Sequence, residues 1–312
     1  MPPVVPALPP GLTVLERGWL SSNNIVFTAG GDATVVDTGY VNHADDTVRL
    51  VDAALAGRPL QRIVNTHLHS DHAGGNAALC ARHPRVRVLI PPGLADAVTR
   101  WDDAALSHRD TGQQCPPFRH DAVIAPGSTV RLGSWSWDVL PADGHDSHMV
   151  MLWCAELGVL VSADALWEHG FGVLFPVLAG NDGGFEAQMA TLQRIEDLQP
   201  RVVIPGHGAP FGDAPAALDR ARGRLLWMAE DPVRHAQLAL KGLVAFALLD
   251  RQQMGLGDVA QLIGQGLMVQ PGFRAHLDAP PEALADQVMA QLVRVGAAQA
   301  LGPGRWGAPD TP

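Results

Sequence analysis

The chain has 312 residues, 47% of them hydrophobic and 17% charged, enough apolar material for one large domain and a small one. Its 32 acidic and 22 basic residues give a net charge of −10 with no basic run to replace phosphate counterions, so a nucleic-acid partner is not expected. No apolar run approaches the ~18 residues of a membrane span, and Met1-Pro2-Pro3-Val4 carries no basic leader, so no membrane partner and a cytoplasmic setting are expected.

Residues 1–10 are Pro-rich and read as a loose arm. Residues 24–27 and 33–36 read as strands, the second running into Asp37-Thr38-Gly39-Tyr40. The spacing of Val48, Val51 and Leu55 predicts a helix over 45–56. The segment Arg62-Ile63-Val64-Asn65-Thr66 reads as a buried strand, and it delivers the run His67-Leu68-His69-Ser70-Asp71-His72. Gly74-Gly75-Asn76 turns the chain into a helix near 77–82. A strand over 86–90, stopped by Pro91-Pro92, and a helix over 93–107 follow. Residues 108–128 are polar and Pro-rich and read as a loop over the site. Strands are expected around 129–132, 134–140, 150–154 and 159–161, then a helix over 185–198 and a strand over 201–204.

Three imidazoles and a carboxylate within one six-residue run are hard to reconcile with core packing, because each would bury polar nitrogens that need partners. Imidazole and carboxylate suit zinc, iron and manganese. Three further segments offer the rest of a ligand set: Asp143-Gly144-His145-Asp146-Ser147-His148, Val161-Ser162-Ala163-Asp164 and Ile204-Pro205-Gly206-His207-Gly208. Each puts a His or Asp where a strand-like run meets a turn.

This ordered set resembles the metallo-β-lactamase superfamily over roughly residues 12–225. The resemblance implies one metal held by His67, His69 and His145, a second held by Asp71, His72 and His207, and Asp164 bridging the two. It implies a four-layered αβ/βα sandwich with the metals at the edge between two sheets. Asp37 lies where family members place a carboxylate beneath the metal loop; orienting a ligand and making an Asx-type turn are both open to it. Cys80, Cys115 and Cys154 fall on no ligand position, and Asp164 gives the set the look of the glyoxalase II and lactonase branches. His148 and Asp146 depart from the usual small residue and Thr of that turn, and either contacts substrate or reshapes the loop.

Residues 165–184 show no period, but they interleave Trp167, Phe171 and Phe175 with glycines directly after Asp164. With His148, these aromatics are candidates for a substrate-pocket wall; filling the gap between sheets is the alternative. A catalytic domain over 1–228 and a small helical, winged-helix-like domain over 229–312 are expected. Asp231-Pro232 starts a helix with Leu240, Leu243, Val244, Ala247 and Leu248 on one face. Asp258 is expected to cap a second helix and Pro281 to open a third, before Gly302-Pro303-Gly304-Arg305-Trp306. The C-terminal helices show no clear basic cluster of the kind glyoxalase II uses to hold the glutathione carboxylates; Lys241 is the only lysine, and substitution by arginines stays open. Packing over the site mouth or dimerisation is the expected use of this part.

Two metals ~3.5–4 Å apart lower the pKa of a shared water to near 7, and the hydroxide attacks a carbonyl or phosphoryl centre. Asp71 is the candidate catalytic residue, orienting the nucleophile or shuttling a proton. The leading expectation is a hydrolase of a small ester, thioester or lactone with two divalent ions, zinc first and iron or manganese next. A mononuclear iron oxidoreductase of the persulfide dioxygenase type is the alternative, and the complete second set Asp71, His72 and His207 argues against it. A closed, non-catalytic metal site or a nucleic-acid-processing partner is the third.

Overall fold

The computed structural model describes residues 7–106, 108–181 and 183–309, so most of the expected arm over 1–10, and Ser107 of the expected helix over 93–107, lie outside the described residues. Strands β1 (Leu12–Leu15), β2 (Asn24–Phe27), β3 (Thr34–Val36), β4 (Arg62–Val64), β5 (Arg87–Ile90) and β6 (Ala122–Val123) form one sheet in that order. The first three are antiparallel and the rest run parallel to β3. Between the parallel strands lie α1 (Ala44–Leu55), α2 (Ser70–Ala73), α3 (Asn76–Arg82), α4 (Ala95–Arg100) and α5 (His108–Thr111). A second sheet holds β7 (Thr129–Leu132), β8 (Trp135–Pro141), β9 (Val150–Cys154), β10 (Val159–Ala163) and β11 (Val202–Pro205), in the order β11-β10-β9-β8-β7. Its one parallel pair, β10 and β11, is joined through α6 (Phe175–Leu178) and α7 (Gly184–Leu198), and α8 (Ala214–Ala229) follows.

Alternation along the strands decides the layering. Ile25, Phe27, Val36 and Val64 point to the same core as Val139, Val150, Leu152, Val161 and Ile204, so that core lies between the sheets. Their neighbours Val26, Val35 and Ile63 pack with Val51, Leu55 and Leu79 of α1 and α3. On the other side, Met151, Leu160 and Val203 pack with Leu192, Ile195, Leu218 and Leu225 of α7 and α8. The result is the expected αβ/βα sandwich.

A fourth core belongs to α9 (Pro232–Arg251), α10 (Leu256–Gln261), α11 (Pro271–His276) and α12 (Pro281–Arg294). Beside it β12 (Gln253–Gly255), β13 (Gln299–Gly302) and β14 (Arg305–Gly307) form a small sheet in the order β12-β14-β13. Leu178 belongs to this core and Val173 and Phe175 pack against it, so the aperiodic segment ties the helical part to the sandwich. Among the described residues no helix is long and apolar enough to cross a membrane.

Several local expectations are corrected. The helix over 93–107 stops at Arg100, because Trp101 takes a left-handed φ of 52°. The segment 108–128 contains α5 and β6 rather than loop alone. Asp231 does cap α9, accepting from Val233 N–H at 3.2 Å. Asp258 caps its helix too, but from the third position of α10, where it accepts from Gly255 N–H at 2.8 Å. Helix α8 went unread; its signal was Asp213, which accepts from Ala216 N–H, followed by a proline in the first turn.

Trp137 is fully buried between the sheets, edge-on to Phe27 at 5.4 Å, and its indole N–H has no hydrogen-bond partner. Trp137→Ala should lower unfolding free energy by about 3–5 kcal/mol in urea titrations. Trp137→Phe should cost clearly less, because it keeps an aromatic face and removes the unpaired donor. Equal losses from the two variants would contradict this packing.

Candidate metal centre

The loop after β4 carries His67 and His69, and α2 carries Asp71 and His72 on its first turn. His145 follows β8, Asp164 follows β10 and His207 follows β11. All seven come together at one edge of the two sheets. The ligand atoms of His67, His69 and His145 lie within 4.8 Å of one another, and so do those of Asp71, His72, Asp164 and His207.

In the first group the hydrogen bonds assign the protons. His145 Nδ1 donates to the Val173 carbonyl at 2.6 Å. The Thr66 hydroxyl donates to Asp37 at 2.8 Å, so it accepts from His67 Nδ1 at 3.1 Å. His69 Nε2 faces the Asp146 carboxylate at 3.4 Å. Burial, reinforced for His67 and His145 by the neighbouring imidazoles, holds the rings neutral, His67 well below its usual pKa and His69 and His145 at about 4. Each neutral ring has one proton, and on His67 and His145 it points outward. Their Nε2 atoms are therefore lone pairs, 3.0 Å and 2.8 Å from His69 Nδ1, which can donate to one of them at most. Lone pairs at that range repel unless a cation sits among them.

The second group reaches the same requirement through charge. His72 Nδ1 donates to Asp37 at 2.8 Å, while its buried Nε2 has no hydrogen-bond partner. That nitrogen lies 3.5 Å from Asp164 and 3.8 Å from Asp71. Burial disfavours charge on His72, yet Asp164, Asp37 and Asp71 outweigh it and hold the pKa well above the usual value. Burial likewise works against ionised Asp164, but His72 and His207 hold it well below the usual range. Asp71 is held low as well, against burial, by His72 and by His207, whose Nε2 is 3.1 Å away. Asp164 touches both groups, with one oxygen 3.4 Å from His145 Nε2 and 4.0 Å from His207 Nε2. The donor set and its orphaned nitrogens fit a pair of divalent cations.

Several backbone features hold these atoms. Asp37, at φ 56°, accepts from Thr66 N–H, Thr66 Oγ1 and His72, so it holds the His72 ring and the Thr66 backbone in place and makes no Asx turn of its own. A Cβ on Gly206 would collide with the Asp164 carboxylate, so only glycine fits there. Asn23 donates to the carbonyls of Pro205 and Gly208, and Ser22 N–H donates to the Asp71 carbonyl, stitching the His207 turn to the metal loop. Asn23 escaped the sequence reading, since a polar run between two strands is its only local signal.

The proposed pocket wall is only partly brought together. A cleft of about 70 Å³ at the site is walled by Trp19, Trp167, Phe175, Gln113 and, from α9, Gly242, Leu243 and Phe246. The Trp167 indole donates to Asp164 at 3.2 Å, and Phe175 stacks at 4.6 Å from His69. Phe171 is buried in the layer of α7 and α8 and faces a different cavity, where the Arg224 guanidinium lies over its ring. His148 is exposed, and it packs against Gly93 and borders a separate cavity that adjoins His69. Neither Phe171 nor His148 lines the cleft at the seven residues.

Residues 17–207 match the family model described as the metallo-beta-lactamase superfamily. Similar proteins include a hydroxyacylglutathione hydrolase of Rhodobacter capsulatus, 32% identical over 196 residues (58% of this chain and 66% of that protein). Another from Bdellovibrio bacteriovorus is 28% identical over 186 residues, 58% and 62% of the two chains. The matches thus span about two thirds or less of those relatives' own length. Among solved structures, a metallo-beta-lactamase family protein from Thermus thermophilus aligns over 97% of this chain and 100% of its own, with TM-score 0.56 and 20% identity. A beta-lactamase domain protein from Burkholderia ambifaria aligns over 97% and 94%, with TM-score 0.58 and 21% identity. These two share the fold.

Asp37→Ala frees His72 and Thr66 together and should weaken metal binding about 10–100-fold in chelator competition. Unchanged affinity would remove Asp37 from the site. A second expectation concerns His235 of α9, whose buried Nε2 accepts from Leu174 N–H at 3.2 Å, next to the carbonyl that holds His145. Burial lowers its pKa to about 4. Between the unfolded value near 6.5 and that value the unfolded chain binds the extra proton, so the stabilising contribution is present above 6.5 and lost as pH falls. Thermal melts should therefore show a shallower acid slope for His235→Gln than for wild type; identical slopes would contradict it.

Proposed function

The chain belongs to the metallo-β-lactamase superfamily, and from that premise we propose that it is a dinuclear metal-dependent hydrolase of a small ester, thioester or lactone. The observation that carries this reading is the convergence of two donor groups with Asp164 reaching both. His67, His69 and His145 would hold one ion, and Asp71, His72 and His207 the second, with Asp164 between them. Zinc is the first expectation, and the same donors accept iron or manganese. Two bound cations would supply a water of lowered pKa and polarise the substrate carbonyl.

The chain's own groups do the rest. Asp37, Asp146, Thr66 and the Val173 carbonyl engage the outward ring nitrogens, so the imidazoles are aimed before any ion arrives. Asp71 borders the cleft and stays ionised, which suits it to accept and pass on a proton. Trp167 and Phe175 wall the cleft with apolar rings. Relatives named hydroxyacylglutathione hydrolase support a hydrolytic reaction at an acyl group.

The test is elemental analysis of the purified protein beside a panel of p-nitrophenyl esters, thioesters and lactones. Two metals per chain and turnover of some panel member are expected. Asp164→Ala should lose one metal and reduce kcat/KM by about 100-fold or more with the fold intact. One iron per chain, with oxygen uptake on a persulfide and no hydrolysis, would overturn the hydrolase in favour of an oxidoreductase.

A further inference from the structure

A second cavity adjoins the metal cleft and is far larger, about 990 Å³ against about 70 Å³. The two share Trp19, Trp167, Val173 and Gly242, so they adjoin at these residues. The larger cavity is walled by apolar groups such as Phe171, Leu238, Ala245 and Leu249. A small ester would leave most of it empty.

Its charges are uneven. Arg17 is already satisfied by Asn24 and Thr47, and Asp46, the one carboxylate on the wall among the described residues, is paired with Arg49 at 2.9 Å. Arg224 and Lys241 are different. Among the described residues neither makes a hydrogen bond or an ion pair, and Arg224 has only the face of Phe171, 5.5 Å from its guanidinium carbon. Burial, with no compensating acid, pushes the Arg224 pKa down. In a chain of net charge −10 whose only lysine is Lys241, two uncommitted cations on one apolar wall call for an anion. A carboxylate or sulfonate on a guanidinium in a partly dry cavity is the stronger kind of hydrogen bond.

Building on the hydrolase reading, we infer that the substrate is an amphipathic acyl compound with an apolar body, and that Arg224 and Lys241 bind an anionic group at the end remote from its scissile carbonyl. The apolar body would lie along Phe171 and Leu249, and the reacting carbonyl would enter the cleft past Trp167. The apolar lining of the cavity disfavours a ligand that is polar along its whole length.

The test uses the metal-loaded full chain and calorimetric binding of two matched probes, decyl sulfonate and decanol. The sulfonate ligates metal ions poorly, so it reports on the cavity. It should bind about tenfold tighter than the alcohol, about 1.4 kcal/mol. Arg224→Gln and Lys241→Gln should each remove most of that preference, and Arg224→Lys should keep part of it. Lys241→Gln, only half-buried, serves if Arg224→Gln does not fold. Equal affinities for the two probes, or a preference that survives both variants, would overturn the anion site. The hydrolase reading fails separately: normal probe discrimination without turnover of an ω-carboxy acyl thioester would sink it and leave the site standing.

Discussion

Five imidazoles and two carboxylates are packed at one sheet edge with their candidate ligand atoms turned toward one another. In the first group the lone pairs of His67 and His145 face His69 Nδ1 at 2.8–3.0 Å; in the second, three carboxylates surround one buried imidazole. Each arrangement is costly until a cation occupies its centre. The remainder of the site makes sense as a means of holding that arrangement against its own repulsion. Outward ring nitrogens face Asp37, Asp146, Thr66 and a backbone carbonyl, so the rings cannot turn to relieve the conflict.

The backbone carries part of this cost. Asp37 and Ala163 both adopt left-handed φ values, 56° and 47°, at the strand ends that position Asp37 itself and Asp164. Such conformations cost about 1–3 kcal/mol each and persist where the surroundings over-determine them. The surroundings here are two sheets sharing one core, with Asn23 and Ser22 clipping the His207 turn to the metal loop. The C-terminal helices add a further brace. His235 holds Leu174, beside the carbonyl that fixes His145, and α9 walls the cleft with Gly242, Leu243 and Phe246. The helical part is thus coupled to the site both through the stretch 173–175 and through α9 itself, where Phe246 packs edge-on to Tyr40 at 5.1 Å.

Much of this was legible in the sequence because the ligands are local in pattern even though they are distant in space. His67 to His72 form a contiguous run, and His145, Asp164 and His207 each follow an apolar strand. The strands were read as short apolar runs, and their arrangement in two sheets came from the family resemblance. What stayed hidden depends on tertiary contact. Asn23 bonds to carbonyls 182 and 185 residues away, and no spacing rule reports that. Phe171 and His148 were expected at the pocket on proximity in sequence to Asp164 and His145, yet packing directs them to other cavities. Trp101 ended a helix through a left-handed residue type that propensity does not favour there. Arg224 and Lys241 stand 17 positions apart in the sequence and gain meaning only from the cavity they share.

The most direct measurement is anomalous diffraction from crystals of the purified protein, collected on both sides of the zinc edge. Two peaks are expected, one among His67, His69 and His145 and one among Asp71, His72 and His207, with Asp164 in contact with both. A single peak in the first group, with His72 protonated and His207 turned away, would contradict the dinuclear centre on which the proposed hydrolysis rests.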